Sequence, residues 1–248
     1  MTHLSTSRGD GVVLVRLENP ERRNALTPTL CDAILDAVGD AEADPAIGAL
    51  VIAAAGPAFS SGGDLELLER AAADPLTDEA LEELGRIYRL FGALASAAIP
   101  TVAAVGGAVV GAGANLALAC DLRIVADDLK LRGFAGAGIH PGGGHIRMLL
   151  KEMGPGAAAA VALFDEAVDA EMALRCGFAW RIVPREQLEA EAMGLAARAA
   201  RDPALTRAAV ATYRATLASE LTPDSATQLE RVAQLWSLRR WAAQRRSR

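Results

Sequence analysis

Two glycine-rich turns carry most of the chemical potential in this 248-residue chain. The first, Gly56-Pro57-Ala58-Phe59-Ser60-Ser61-Gly62-Gly63-Asp64, follows an apolar run. A turn that offers its N–H groups to a ligand needs glycine or other small residues, because larger side chains would block the approach. Gly62 and Gly63 meet that need. The second turn, Gly106-Gly107-Ala108-Val109-Val110-Gly111-Ala112-Gly113-Ala114-Asn115, opens a helix, where free N–H groups and the helix dipole favour developing negative charge. A dinucleotide site is disfavoured, since no GxGxxG stands in the required order near the first strand with its acidic partner. Titratable groups come next. His140 and His145 flank Pro141-Gly142-Gly143-Gly144, and His145 falls at the expected start of a helix, where the dipole keeps the ring neutral and able to accept a proton. A capping or simply buried histidine is the plainer alternative. A metal site built on the pair is not expected, because helical ligands share a face and this segment is proline and glycine.

These groups must be positioned by the elements around them. Val12–Leu17, bounded by Gly9-Asp10-Gly11 and Asn19-Pro20, is predicted as a strand. Thr27 before Pro28 opens a helix with Leu30, Ile34, Ala37 and Val38 on one face. Ala49–Ala54 is continuously apolar, as expected of a strand covered on both faces. Helices are predicted over 65–72 and 78–97, and Pro100 precedes a strand at Thr101–Val105. Helix over 115–119, strand over 122–126, a glycine-filled loop over 133–144 and a helix after His145 follow. Asp169 caps a helix running through Leu174, Gly177 ends it, and 178–183 is the last predicted strand. Residues 186–248 show only helical pattern. The repeated order of strand, loop and helix is that of an α/β fold.

The hydrophobic fraction is 52% with only 4% aromatic, so small aliphatic side chains must fill the interior at close spacing. A net charge of -6 argues against nucleic acid bound by diffuse positive charge, although Arg239, Arg240, Arg245, Arg246 and Arg248 make the end basic. Cys31, Cys120 and Cys176 form no CxxC pair, so neither a disulfide framework nor a zinc site is indicated, and a cytoplasmic setting is expected. The start, with His3 and polar neighbours, shows no apolar signal segment. The apolar stretch over 99–119 is broken by Pro100 and several glycines, so no membrane span is expected.

With these residues set out, the chain resembles the crotonase superfamily, the enoyl-CoA hydratases and isomerases, along nearly its full length. Asn19-Pro20 with Asn24-Ala25-Leu26, and Ala58-Phe59-Ser60-Ser61-Gly62-Gly63-Asp64-Leu65, are similar to that family's first two signatures. Ile99-Pro100-Thr101-Val102-Ala103-Ala104-Val105-Gly106-Gly107, Leu116-Ala117-Leu118-Ala119-Cys120-Asp121 and Gly138-Ile139-His140-Pro141-Gly142-Gly143-Gly144 are similar to the next three. The resemblance implies a spiral core of repeated β-β-α units over 1–185 that carries an acyl-CoA site. It also implies a C-terminal helical region over 186–248 for packing or oligomerisation, and trimers that pair into hexamers. The partner it implies is an acyl-CoA thioester, with no separate cofactor, since coenzyme A is part of the substrate. Gly63 N–H and Ala112 N–H would form an oxyanion hole that stabilises an enolate, with Ala112 standing where glycine is usual. Arg22, Ala25, Ser61, Asp64 and Leu65 would receive the CoA moiety.

The pattern departs from that of hydratases where the chemistry needs acid and base. The first usual glutamate aligns at Asn115, which can hold water or substrate but cannot take up a proton at neutral pH. The second aligns at Ala135, or at Phe134 if counted back from Pro141. His140 and His145 are then the candidate acid–base groups. Ser60 or Ser61 with a histidine would suggest a thioesterase, but no GxSxG elbow is present and such hydroxyls more often shape the turn. Asp121 matches a structural aspartate of the family pattern, and Asp127 and Asp128 read as a surface turn. The expected function is an acyl-CoA-processing enzyme. The alternatives are a CoA-ester-binding protein with little or no turnover, or a divergent hydrolase, isomerase or decarboxylase. RNA binding through the basic tail is a weaker third class.

Overall fold

A computed structural model describes residues 3–246. Strand β1 (Leu4–Gly9) pairs antiparallel with β2 (Val12–Leu17), with Gly9 opposite Val12. The two residues between them, Asp10 and Gly11, have φ of 51° and 72°, the left-handed pair that a tight hairpin requires. β1 was not expected, because Ser5, Thr6, Ser7 and Arg8 lack an apolar alternation. It is an edge strand whose side chains stay largely in solvent.

Helix α1 (Pro28–Ala43) begins where Thr27 accepts a hydrogen bond from Leu30 N. Three turns of the same design follow. The first is β3 (Ala49–Ala54), β4 (Ala58–Ser60), α2 (Leu65–Ala73) and α3 (Asp78–Ala95). The second is β5 (Thr101–Val105), β6 (Ala108–Val110) and α4 (Ala112–Leu118). The third is β7 (Leu122–Ala126), β8 (Lys130–Arg132) and α5 (His145–Phe164), the last bent at Gly154, whose φ is 73°, before Pro155. Each turn gives one strand to a six-stranded sheet of order β1-β2-β3-β5-β7-β10 and one to a four-stranded sheet of order β4-β6-β8-β9. β9 (Val168–Asp169), α6 (Ala170–Arg175) and β10 (Arg181–Val183) complete both sheets. The four short strands of the second sheet carry too few residues to show a period, and were not expected. Helix α4 starts three residues earlier than its predicted 115–119. β10 is shorter than the predicted 178–183, because Phe178 and Ala179 are buried core residues of the turn that precedes it.

Apart from Arg16, Thr101 and Arg123, the parallel strands β2, β3, β5 and β7 are apolar along their length because the sheet is covered twice. Val13, Val15, Leu50, Ile52, Ala103 and Val125 face the main core, with Leu30 and Ile34 of α1 and Leu90 and Leu94 of α3. Their neighbours Val12, Leu14, Val51, Val102 and Ile124 face the other way, onto Leu188, Ala192 and Ala196 of α7 (Leu188–Ala199). Alanines on α7 permit close contact. At Gly48 even a Cβ would stand 2.6 Å from Ala200 Cα.

Polar ties join the outer helices to this frame. Asp121 accepts from Thr101 N and from both terminal nitrogens of Arg214 on α8 (Pro203–Ala218). Arg207 of the same helix donates to the carbonyls of Ala41, Glu42 and Asp44 at the end of α1, where the helix dipole attracts a cation, and to that of Ile47 just before β3. Helix α9 (Pro223–Arg246) packs on α8 and leaves Val232, Leu235, Leu238 and Trp241 exposed. No helix among the described residues is long and apolar enough to cross a membrane.

Candidate functional site

The first glycine turn is shaped by a buried asparagine. Asn24, in the left-handed region at φ 52°, donates to the carbonyls of Ala55 and Ala58 and accepts from Asn19 N. Ser60, wholly buried, donates to Asn24 O at 2.8 Å and accepts from Gly62 N at 3.2 Å. Its hydroxyl therefore serves the turn and is not presented as a nucleophile. Leu26 N donates to Gly62 O and Asp64 N donates to Leu26 O, so Leu26 pairs with the peptides on either side of Gly63. Successive peptide groups of an extended segment face opposite ways, which leaves the Gly63 N–H on the edge away from Leu26.

The second turn meets the first backbone to backbone. A Cβ on Gly62 would lie 2.7 Å from Val110 O and 3.4 Å from Ala112 N, and one on Gly113 would lie 2.5 Å from Ser60 O. Glycine is needed on both sides of this contact, and it brings the Gly63 and Ala112 segments together at one cavity. Gly111, at φ 50°, donates its N–H to Arg132 O and precedes α4. Ala112 is the first residue of α4, and its N–H has no acceptor within the helix. Among the described residues neither the Gly63 nor the Ala112 N–H is engaged in a hydrogen bond.

The cavity they border holds about 160 Å³ and is walled by Leu68, Leu84, Ile87, Tyr88, Val110, Phe134 and Ile139, with Asn115, His140 and Gly142 at one side. Ser61, Gly63 and Leu65 also line a wider and more polar mouth with Glu21, Arg22, Arg23, Ala25 and Asp64. All five residues expected to receive the CoA moiety (Arg22, Ala25, Ser61, Asp64 and Leu65) thus lie at this mouth. Asp64 caps α2 by accepting from Leu67 N. The Arg22 guanidinium pairs with Glu66 at 2.7 Å and Asp64 at 3.2 Å, which holds its pKa above the ordinary value, first through the Glu66 hydrogen bond.

The candidate acid–base groups are separated. His140 lies in the exposed loop, lines the cavity and has Nδ1 2.9 Å from Pro141 O, so a proton on Nδ1 leaves Nε2 as the free acceptor. His145 begins α5 as expected but does not reach the cavity, being 1% exposed behind Asn115 and edge-on to Phe134. Asn115 Nδ2 donates to Gly142 O at 2.9 Å, which turns Oδ1 toward His145 Nδ1 at 2.7 Å. That arrangement puts the imidazole proton on Nδ1. Nε2 is buried and without a partner among the described residues, and burial pushes the His145 pKa down to about 4. His145 is placed to orient Asn115, and Asn115 to orient Gly142.

Ala135 is exposed outside the cavity in a short 3-10 turn, and Phe134 fills the wall beside Gly111. Burial drives the Cys31 and Cys120 thiols up to about 12, so neither supplies a thiolate. Among the described residues no group of three or more His, Cys, Asp or Glu side chains could hold a metal ion. Tyr88 was not anticipated. Leu84, Ile87, Tyr88 and Phe91 share a helical face by spacing, but spacing alone could not reveal that this face overlooks the glycine turns.

Comparison with known proteins agrees with this architecture. Residues 7–240 match the sequence model of the enoyl-CoA hydratase/isomerase family. A probable enoyl-CoA hydratase of Mycobacterium tuberculosis is 39% identical over 215 residues, which cover 86% of this chain and 80% of that protein. A trans-2-decenoyl-acyl-carrier-protein isomerase of Streptococcus mutans is 34% identical over 185 residues, covering 73% and 69% respectively. The crystal structure of an enoyl-CoA hydratase from Polaromonas sp. JS666 superposes with a TM-score of 0.86 at 25% identity, over 95% of this chain and 91% of that one. The chain therefore belongs to the enoyl-CoA hydratase/isomerase family of the crotonase superfamily and has its spiral fold.

Proposed function

We propose that this protein acts on acyl-CoA thioesters by holding the thioester oxygen between Gly63 N–H and Ala112 N–H, so that an enolate forms at that oxygen. The observation that carries the reading is a pair of unengaged amides from two interlocked glycine turns on one apolar cavity. Donors fixed in advance of reaction lose no reorganisation energy when charge develops on the oxygen. Coenzyme A runs out through the mouth at Arg22, Ala25, Ser61, Asp64 and Leu65, and His140 Nε2 is the base that removes a proton from the carbon next to the thioester. Asn115 has both ends of its amide committed and serves to hold the Gly142 segment, with His145 behind it. Replacing Gly63 by proline deletes one amide donor and is expected to cost roughly 3 kcal/mol of transition-state stabilisation, about a hundredfold in kcat. A Gly63→Pro enzyme at full rate in a thioester turnover assay would remove the basis of the reading.

A second reading is a CoA-ester-binding protein with little turnover, favoured by one observation: among the described residues no carboxylate lines the inner cavity. Tight binding of crotonyl-CoA without hydration, isomerisation, hydrolysis or decarboxylation of any thioester in a panel would select it. We also propose that the exposed apolar side chains of α9 serve self-association into trimers or hexamers. Sedimentation at the mass of a single chain would contradict this.

A further inference from the structure

We propose that Tyr88 is the proton donor of this site, delivering a proton to the carbon next to the thioester while His140 serves as the base; the inference rests on the enolate reading above. Tyr88 and His140 are the two titratable side chains that line the inner cavity among the described residues. Carboxylates are missing where the family pattern would put them, at Asn115 and at Phe134 or Ala135. On the enolate reading, another group then carries the proton.

The position of Tyr88 is built by its surroundings. Its hydroxyl stands 2.6 Å from where a Cβ on Gly142 would be, and its ring stands 3.0 Å from where one on Gly143 would be, with Phe91 of the same helix at 2.9 Å from that second point. Bare backbone at Gly142 and Gly143 is thus what admits the phenol. Gly142 is in turn held by Asn115 Nδ2 at 2.9 Å and by His145 N at 3.3 Å, both donating to its carbonyl. The scaffold under the phenol therefore runs from α4 and α5 into the wall of the cavity. Among the described residues the Tyr88 hydroxyl has no hydrogen-bond partner, whereas both ends of the Asn115 amide are committed. A phenol carries a proton it can donate, and Tyr88 is 45% exposed, so solvent can restore that proton.

The step balances without a further reactant. His140 Nε2 takes the proton from C2, the C2–H electron pair flows into the enolate, and the oxygen between Gly63 and Ala112 receives the charge. In the return step the Tyr88 O–H breaks, a new C2–H bond forms from the enolate pair and the thioester carbonyl is restored. The phenolate recovers its proton from water, and the imidazolium releases its own.

The test is exchange of the C2 protons of butyryl-CoA in deuterated water, followed by proton NMR, alongside the dissociation constant of the same thioester. Wild type is expected to exchange. Tyr88→Phe keeps the ring and should lose about a hundredfold in exchange rate with affinity unchanged within about twofold, the range of a general acid. A loss below about tenfold, or one matched by weaker binding, overturns the assignment of Tyr88. Wild-type protein that binds butyryl-CoA without exchanging its protons overturns the enolate reading itself. Exchange that survives in Tyr88→Phe but disappears in His140→Gln overturns the role of Tyr88 alone.

Discussion

Replacing His145 by leucine should invert the order of stability between variant and wild type as the pH falls. The imidazole is buried, donates from Nδ1 to Asn115 and leaves Nε2 without a partner, so only its neutral form fits the native state. Burial places its native pKa at about 4 against an ordinary value of 6.5. The depressed native pKa means that the unfolded chain binds the proton first. Stability is therefore undiminished above pH 6.5 and is lost as the pH falls toward 4. At pH 4.5 protonation therefore favours the unfolded chain over the native protein by roughly 2–3 kcal/mol through this group. Leucine has no such titration. At pH 8, however, it leaves the Asn115 Oδ1 acceptor bare in a buried position, a cost of about 1–3 kcal/mol, partly offset by removal of the unpaired Nε2. The variant should be less stable by about 1 kcal/mol at pH 8 and more stable by roughly 1–2 kcal/mol at pH 4.5. Urea unfolding at fixed protein concentration measures both. Because every other titrating group is shared, the difference between the two pH curves isolates His145. Parallel curves, with a gap constant within about 0.5 kcal/mol, would refute the buried neutral imidazole.

Two other perturbations follow from the same geometry. Gly113→Ala gains helix propensity of about 1 kcal/mol but sets a Cβ 2.5 Å from Ser60 O, so the two turns must part; a net destabilisation of about 1–2 kcal/mol in urea is expected, together with loss of most of the thioester turnover. An alanine variant with wild-type rate and midpoint would mean that the turns need not touch. Arg22→Ala should weaken binding of a CoA thioester about two- to fivefold, less in high salt, and leave binding of the corresponding N-acetylcysteamine thioester unchanged; equal losses for both ligands would place CoA elsewhere.

Residue types and order along the chain were enough for the parallel strands, the capped helices and the family. Apart from Arg16 and Thr101, Val12–Leu17, Ala49–Ala54 and Thr101–Val105 are apolar because each is covered twice, and burial of both faces leaves a mark on nearly every residue of the strand. Thr27-Pro28 and Asp169 marked helix starts because capping is local chemistry within a few residues. The same locality explains why Gly62 and Gly63 could be singled out as a turn. Strand β1 left weaker marks, since an edge strand of serine, threonine and arginine is stabilised by pairing and not by its own pattern.

Tertiary structure decided which of the two histidines meets the cavity. Both flank the same proline–glycine segment, yet the first turn of α5 buries His145 behind Asn115 while His140 remains in the loop that lines the site. It also brought Tyr88, 54 residues before Gly142, onto that glycine, and set Ser60 inside the turn instead of in the cleft. Solvent access and the meeting of distant backbones depend on how helices close over the sheets, and no short stretch of sequence records either.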